Sequence, residues 1–127
     1  MSLLRPDTMP KRLLFIQHRP PYSGDNPGEL LDALLVAAAF GQLVTVLFQD
    51  EGVWQLLPGQ DGKPLARKTL LAQLQALELY DVEQVHVDAA SLAERGLTNI
   101  TLALPVNRLE PAAIAPLLAS HDLVLRF

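Results

Sequence analysis

The residues of this chain that could do chemistry gather in three short segments, and none of them contains a thiol, because the sequence has no cysteine. The first segment is His18-Arg19-Pro20-Pro21-Tyr22-Ser23-Gly24-Asp25. Arg19 could pair with an anion. The stretch has one usable glycine ahead of the next helix and neither G-x-G-x-x-G nor G-x-x-x-x-G-K-[ST] spacing, so its backbone cannot cradle phosphate in the known ways. Pro-Pro followed by Ser-Gly reads first as a rigid turn. The second segment is Gln49-Asp50-Glu51-Gly52. Two adjacent acids could bind Mg²⁺ or act in acid–base work. They are also what the start of a helix favours electrostatically, and no other carboxylate cluster is near in sequence, so the helix reading is preferred.

The third segment is Val85-His86-Val87-Asp88-Ala89-Ala90-Ser91. His86 and Asp88 are two apart on a strand and can share a face. With Ser91 they suggest a hydrolase triad. A triad, however, needs the histidine between serine and acid, and a nucleophile on a strained turn beside oxyanion donors. No G-x-S-x-G occurs in the chain. Asp88 as a helix N-cap and His86 as a strand histidine explain the same residues with less. His18, His86 and His121 are the only histidines, and their spacing lacks the local pairs of a zinc site. Trp54, with Leu56 and Leu57, reads as core packing unless it is exposed, in which case it marks a protein interface. No catalytic residue, metal site or cofactor site is therefore assigned.

The elements that must position these residues follow from hydrophobic patterning. Leu13-Leu14-Phe15-Ile16, Leu43 to Phe48, Val85-His86-Val87 and Leu123-Val124-Leu125 are apolar runs without alternation, as in a parallel sheet covered on both faces. A fainter strand is expected through Ile100 to Leu104. Asn26-Pro27-Gly28-Glu29 is a helix start, opening a helix from Leu30 to Phe40 that is apolar almost all round, and Gly41 ends it. A short helix around Val53 to Leu57 is stopped by Pro58-Gly59. Another is expected from about Arg67 to Leu77, with Leu70, Leu71, Leu74 and Leu77 on one face. Asp88 caps a brief helix from Ala89 to Arg95, closed by Gly96. A last helix begins near Pro111, and Pro116 inside it predicts a kink or an early break. Strands alternating with helices predict an α/β domain with a mainly parallel sheet of four or five strands.

A chain of 127 residues fits one domain, and half of its residues are hydrophobic, enough for a packed core. Residues 1–10 read as a loose leader before the domain at 11–127. The charged fraction of 19% is below the usual quarter or so, which raises the prospect of apolar surface covered by a partner. A net charge of −4 without clustered Lys and Arg argues against direct nucleic-acid binding. The longest apolar run, Leu30 to Phe40, carries Asp32 and is too short to span a bilayer. The expectation is a cytoplasmic protein with no membrane partner.

Six segments follow one another in order: Lys11-Arg12-Leu13-Leu14-Phe15, Gly28 to Leu35, Asp50 to Gln60, Leu79 to Val85, Ala89 to Leu97 and the terminal Asp122-Leu123-Val124-Leu125-Arg126-Phe127. In the order and spacing of these segments, from Lys11 to Phe127, the chain resembles the DsrE/DsrF/DsrH-like superfamily, in its TusC (DsrF-like) branch. The resemblance implies a three-layer α/β/α domain and membership of a TusBCD-type complex, a dimer of heterotrimers with TusB-like and TusD-like subunits. Such a complex relays persulfide sulfur, by way of a TusE-like acceptor, toward 2-thiouridine at the wobble position of tRNA. In the family the TusD-like subunit accepts sulfur on a cysteine after the third long strand, and the matching position here is Asp88. A carboxylate is a poor sulfur nucleophile, so the resemblance implies a non-catalytic structural or regulatory subunit rather than an enzyme. Tyr22, Trp54 and Asp88 are its candidate interface residues. The alternative is a self-associating binding module for a small anionic ligand, built on Arg19 and the loop from Pro20 to Asp25.

Overall fold

A computed structural model describes residues 11–18, 28–57, 84–102 and 106–126. The strands are β1 (Arg12–Gln17), β2 (Leu43–Phe48), β3 (Gln84–Asp88), β4 (Asn107–Leu109) and β5 (Leu123–Arg126). They form one parallel sheet in the order β4-β3-β2-β1-β5. The helices are α1 (Gly28–Ala39), a 3-10 helix at Asp50–Leu56, α2 (Ala89–Glu94) and α3 (Pro111–Ala119).

The unbroken apolar runs have the cause the sequence suggests, since both faces of the sheet are covered. Phe15, Val46, Phe48, Val85 and Val87 point to one side, where they pack with Val53 and Leu56 of the 3-10 helix, Leu92 of α2 and Ala33, Ala37 and Ala38 of α1. Leu14, Ile16 and Leu47 point to the other side, against Ile114, Leu117 and Leu118 of α3. A parallel sheet needs this double cover, because its crossovers lay helices on its faces. The result is three layers, α/β/α.

Helix α2 is only six residues long and depends on its ends. Asp88 caps its start. At its finish Gly96, at φ +70, takes the left-handed conformation that a side chain disfavours. Gly96 N donates to Ala93 O at 3.1 Å, and Leu97 N to Leu92 O at 2.8 Å, the bond pair of a Schellman motif. Leu97 and Leu92 both belong to the core, which adds the apolar contact that accompanies this motif. The same pair of bonds closes α1 at Gly41.

Two expectations are corrected. No strand forms over Ile100–Leu102, and the fourth strand lies later, at Asn107–Leu109. The Arg108 guanidinium explains the shift, because it holds the carbonyls of Thr98 and Ile100 in a loop clamp. Helix α3 also runs through Pro116 to Ala119 rather than breaking early. Pro116 cannot donate to the Ala112 carbonyl, but both residues lie on the exposed side of the helix, where water can take that bond. The expected helix at 67–77 and the leader at 1–10 lie outside the described residues. No described helix is long and apolar enough to cross a membrane.

Candidate functional site

In open α/β sheets ligands are met beyond the carboxyl ends of the strands. At that end β1, β2 and β3 deliver Gln17, Phe48 and Asp88, and a network of short bonds ties them together. Asp88 is buried, with 8% of its surface exposed. One carboxylate oxygen accepts the Ala90 N–H at 3.2 Å and the other accepts the Ser91 hydroxyl at 2.8 Å. Ser91 Oγ in turn accepts the backbone N–H of Asp50 at 2.9 Å. A single hydroxyl therefore links the end of β3 to the turn after β2.

That turn is tightly held. Asp50 has φ +51, in the left-handed region where aspartate is among the more tolerated residues. Gln49 N donates to Gln17 O at 3.0 Å, and Gly52 N to Gln49 O at 2.9 Å. Gly52 is pressed so closely on β1 that a Cβ there would stand 2.0 Å from the Gln17 carbonyl oxygen. The 3-10 helix can begin only because residue 52 has no side chain.

Glu51 faces outward and is engaged twice. Its carboxylate accepts the Trp54 indole N–H at 2.6 Å and meets the Arg95 guanidinium at 3.3 Å. Arg95 also donates to the Ser91 carbonyl at 3.1 Å. Trp54 is half-buried and packs against the core, with its polar edge spent on Glu51. The adjacent acids Asp50 and Glu51 occupy the first turn of the 3-10 helix, where the helix reading placed them.

The third segment is brought together, but not as a triad. Ser91 bonds directly to Asp88 and not to His86. His86 is buried in β3, and neither ring nitrogen has a partner among the described residues. Burial holds its pKa below the ordinary 6.5, and the nearby His121 imidazole pushes in the same direction. His121 bridges the Leu117 carbonyl, 2.8 Å from Nδ1, and the Thr45 hydroxyl, 3.0 Å from Nε2. Without a bond from Ser91 to His86 the chain of proton transfer that this triad needs is not assembled. Among the described residues no three of His, Asp and Glu gather closely enough to hold a metal ion. Arg19, Tyr22 and the loop from Pro20 to Asp25 lie outside the described residues.

Sequence reasoning singled out Asp88, Ser91 and Trp54. It did not single out Arg95, which donates to the Ser91 carbonyl and pairs with Glu51, or Gly52, on which the turn depends. The first Gly after a strand and two acids was a signal for Gly52, while Arg95 meets Glu51 from 44 positions away and left none.

The sequence model of the DsrE/DsrF-like family matches residues 11–127. The crystal structure of the ychN protein from E. coli superposes with a TM-score of 0.77 at 19% identity, covering 94% of this chain and 100% of that one. At that identity the likeness is one of fold.

Proposed function

Because the chain belongs to the DsrE/DsrF-like family, we propose that it is a non-catalytic subunit of a sulfur-relay assembly of the TusBCD type. In this reading TusB-like and TusD-like chains are its partners and 2-thiouridine formation in tRNA is the process it serves. Asp88 is the observation that carries the proposal. A sulfur-accepting subunit needs a nucleophilic thiolate at the end of the third long strand, and here a carboxylate stands there in a chain with no cysteine. That carboxylate is buried, with both oxygens already bonded to Ala90 N and Ser91 Oγ. It shapes the turn and leaves no acceptor for sulfur. The thiol is supplied by a sister chain.

Co-expression with TusB-like and TusD-like chains, followed by pull-down and mass analysis, tests the reading. Recovery of both partners is expected, and deletion of this chain should lower tRNA 2-thiolation. No affinity for either partner sinks the proposal. Relay should also proceed without an Asp88→Cys change and stop when the partner's cysteine is removed.

A further inference from the structure

Strand β5 borders the sheet, paired with β1 on one side and, among the described residues, with no strand on the other. Such an edge presents unpaired N–H and C=O groups. Their direction follows from the bonds at the strand ends. Lys11 O and Gln17 O accept from Leu43 N and Gln49 N on the β2 side, whereas Arg12 exchanges bonds with Asp122 on the β5 side. Even-numbered residues of β1 therefore turn their backbone groups toward β5. With Leu13 opposite Leu123 and Leu14 opposite Val124, parallel pairing engages the groups of Leu123 and Leu125. Those of Val124 and Arg126 point outward.

The segment Asp122 to Arg126 reads Asp-Leu-Val-Leu-Arg, which complements itself in reverse. We propose that two copies of this chain join through β5, antiparallel, about a two-fold axis at Val124, so that one sheet runs across the pair. An isologous contact of this kind must be self-complementary, and this one is. Val124 faces Val124 of the second copy in a hydrogen-bonded pair. Leu123 faces Leu125 on one face of the sheet, and Asp122 faces Arg126 on the other, each twice over. Asp122 Oδ2 already accepts the Arg12 N–H, and its second carboxylate oxygen is left for Arg126. An axis at Leu123 or Leu125 would make that leucine a non-hydrogen-bonded pair and still allow a ladder, but would leave neither Asp122 nor Arg126 opposite a charge of the other sign. An axis at Asp122 or Arg126 would oppose like charges. Backbone direction permits several registers, and charge complementarity selects the one with its axis at Val124.

Nothing on the strand blocks this approach. The ladder from Leu13 to Ile16 runs without a bulge, and Leu123-Val124-Leu125 contains no proline or charge. Leu123 is 49% exposed and Val124 38%, so apolar surface waits at the seam. This contact stands on the edge strand alone and is independent of the sulfur-relay reading.

Sedimentation of the full chain over a concentration series tests it. A monomer–dimer equilibrium is expected, and Arg126→Asp should weaken it about tenfold, by replacing two opposite-charge pairs with two like-charge ones. Arg126→Lys should keep it. Because the chain has no cysteine, Val124→Cys introduces a lone thiol, which a short bismaleimide should link to its counterpart in the second copy. Asn107→Cys, on the opposite edge, should stay unlinked. A chain that remains monomeric overturns the proposal, as does a dimer indifferent to Arg126→Asp whose Val124→Cys thiols are not linked. Assembly with sister chains alone, without self-association, would overturn this contact and leave the proposed function standing.

Discussion

Ser91 holds two elements with one hydroxyl, donating to Asp88 and accepting from the N–H of Asp50. Ser91→Ala would leave that N–H without its partner, in a residue already in the left-handed region. A lost bond of this kind costs about 1–3 kcal/mol, to be read from urea unfolding. A stability unchanged by the substitution would remove Ser91 from the structural role assigned to it. His86 gives a second prediction at this scale. Burial, then His121, keeps its folded-state pKa below 6.5, so the unfolded chain takes up this proton first as pH falls. The stability linked to neutral His86 is complete above the unfolded value and drains as pH drops toward the folded one. The melting temperature of His86→Leu should therefore fall less than that of the parent between about pH 7.5 and about pH 5. Equal slopes would show that His86 titrates alike in both states. The Asp88 cap was legible in the sequence because it acts on residues two and three positions away. That His86 has no partner among the described residues was not, because it depends on what the neighbouring strands and helices leave uncovered.

Elements here are bounded by backbone demands that differ from glycine to glycine. Gly52→Ala puts a methyl group where the Gln17 carbonyl already lies, at 2.0 Å, so the 3-10 helix must move off β1. A cost of about 3 kcal/mol or more is expected in chemical denaturation. Gly96→Ala meets open space, and its cost comes from φ +70 alone, about 1–2 kcal/mol. Gly96→Asn should recover part of that loss, since asparagine tolerates this conformation, while Gly52→Asn should be worse than Gly52→Ala. An identical ranking at both positions would contradict the two causes. The same local logic explains what the sequence disclosed of the elements. β1, β2 and β3 were visible as apolar runs because both faces of the sheet are covered there, and β5 showed its run although Leu123 and Val124 are exposed. β4 was not, because an edge strand of three residues, Asn107-Arg108-Leu109, has one guanidinium spent on a loop and no apolar run to show. Pro116 misled for a related reason, since the penalty of an interior proline shrinks where the orphaned carbonyl faces water.

At the scale of the molecule, the polar network and the exposed apolar groups occupy opposite ends of the sheet. Asp88, Ser91, Asp50 and Glu51 sit at the carboxyl ends of the strands. Phe40, 80% exposed, and Leu43, 55% exposed, sit where α1 returns to the amino end of β2, with Leu123 at the start of β5. The low charge of the sequence hinted that such surface exists, but composition cannot say where, because position depends on which helix ends the crossovers carry past the sheet. Exposed groups of this size contribute little to folding the isolated chain, whose core closes on both faces without them. Phe40→Ser should therefore shift unfolding by under about 0.5 kcal/mol. Partners of the native state act differently, since anything that binds the folded chain alone stabilises it by mass action, about 2.7 kcal/mol at a hundred times the dissociation constant. If the chain works within an assembly, its melting temperature should rise when TusB-like and TusD-like chains are added. The rise should grow with their concentration and vanish for an unrelated α/β protein of similar charge. Scanning calorimetry of the chain alone and in the mixture checks this. A transition that stays fixed at every partner concentration would mean that the native state of this chain is complete by itself, and that the proposed assembly does not form.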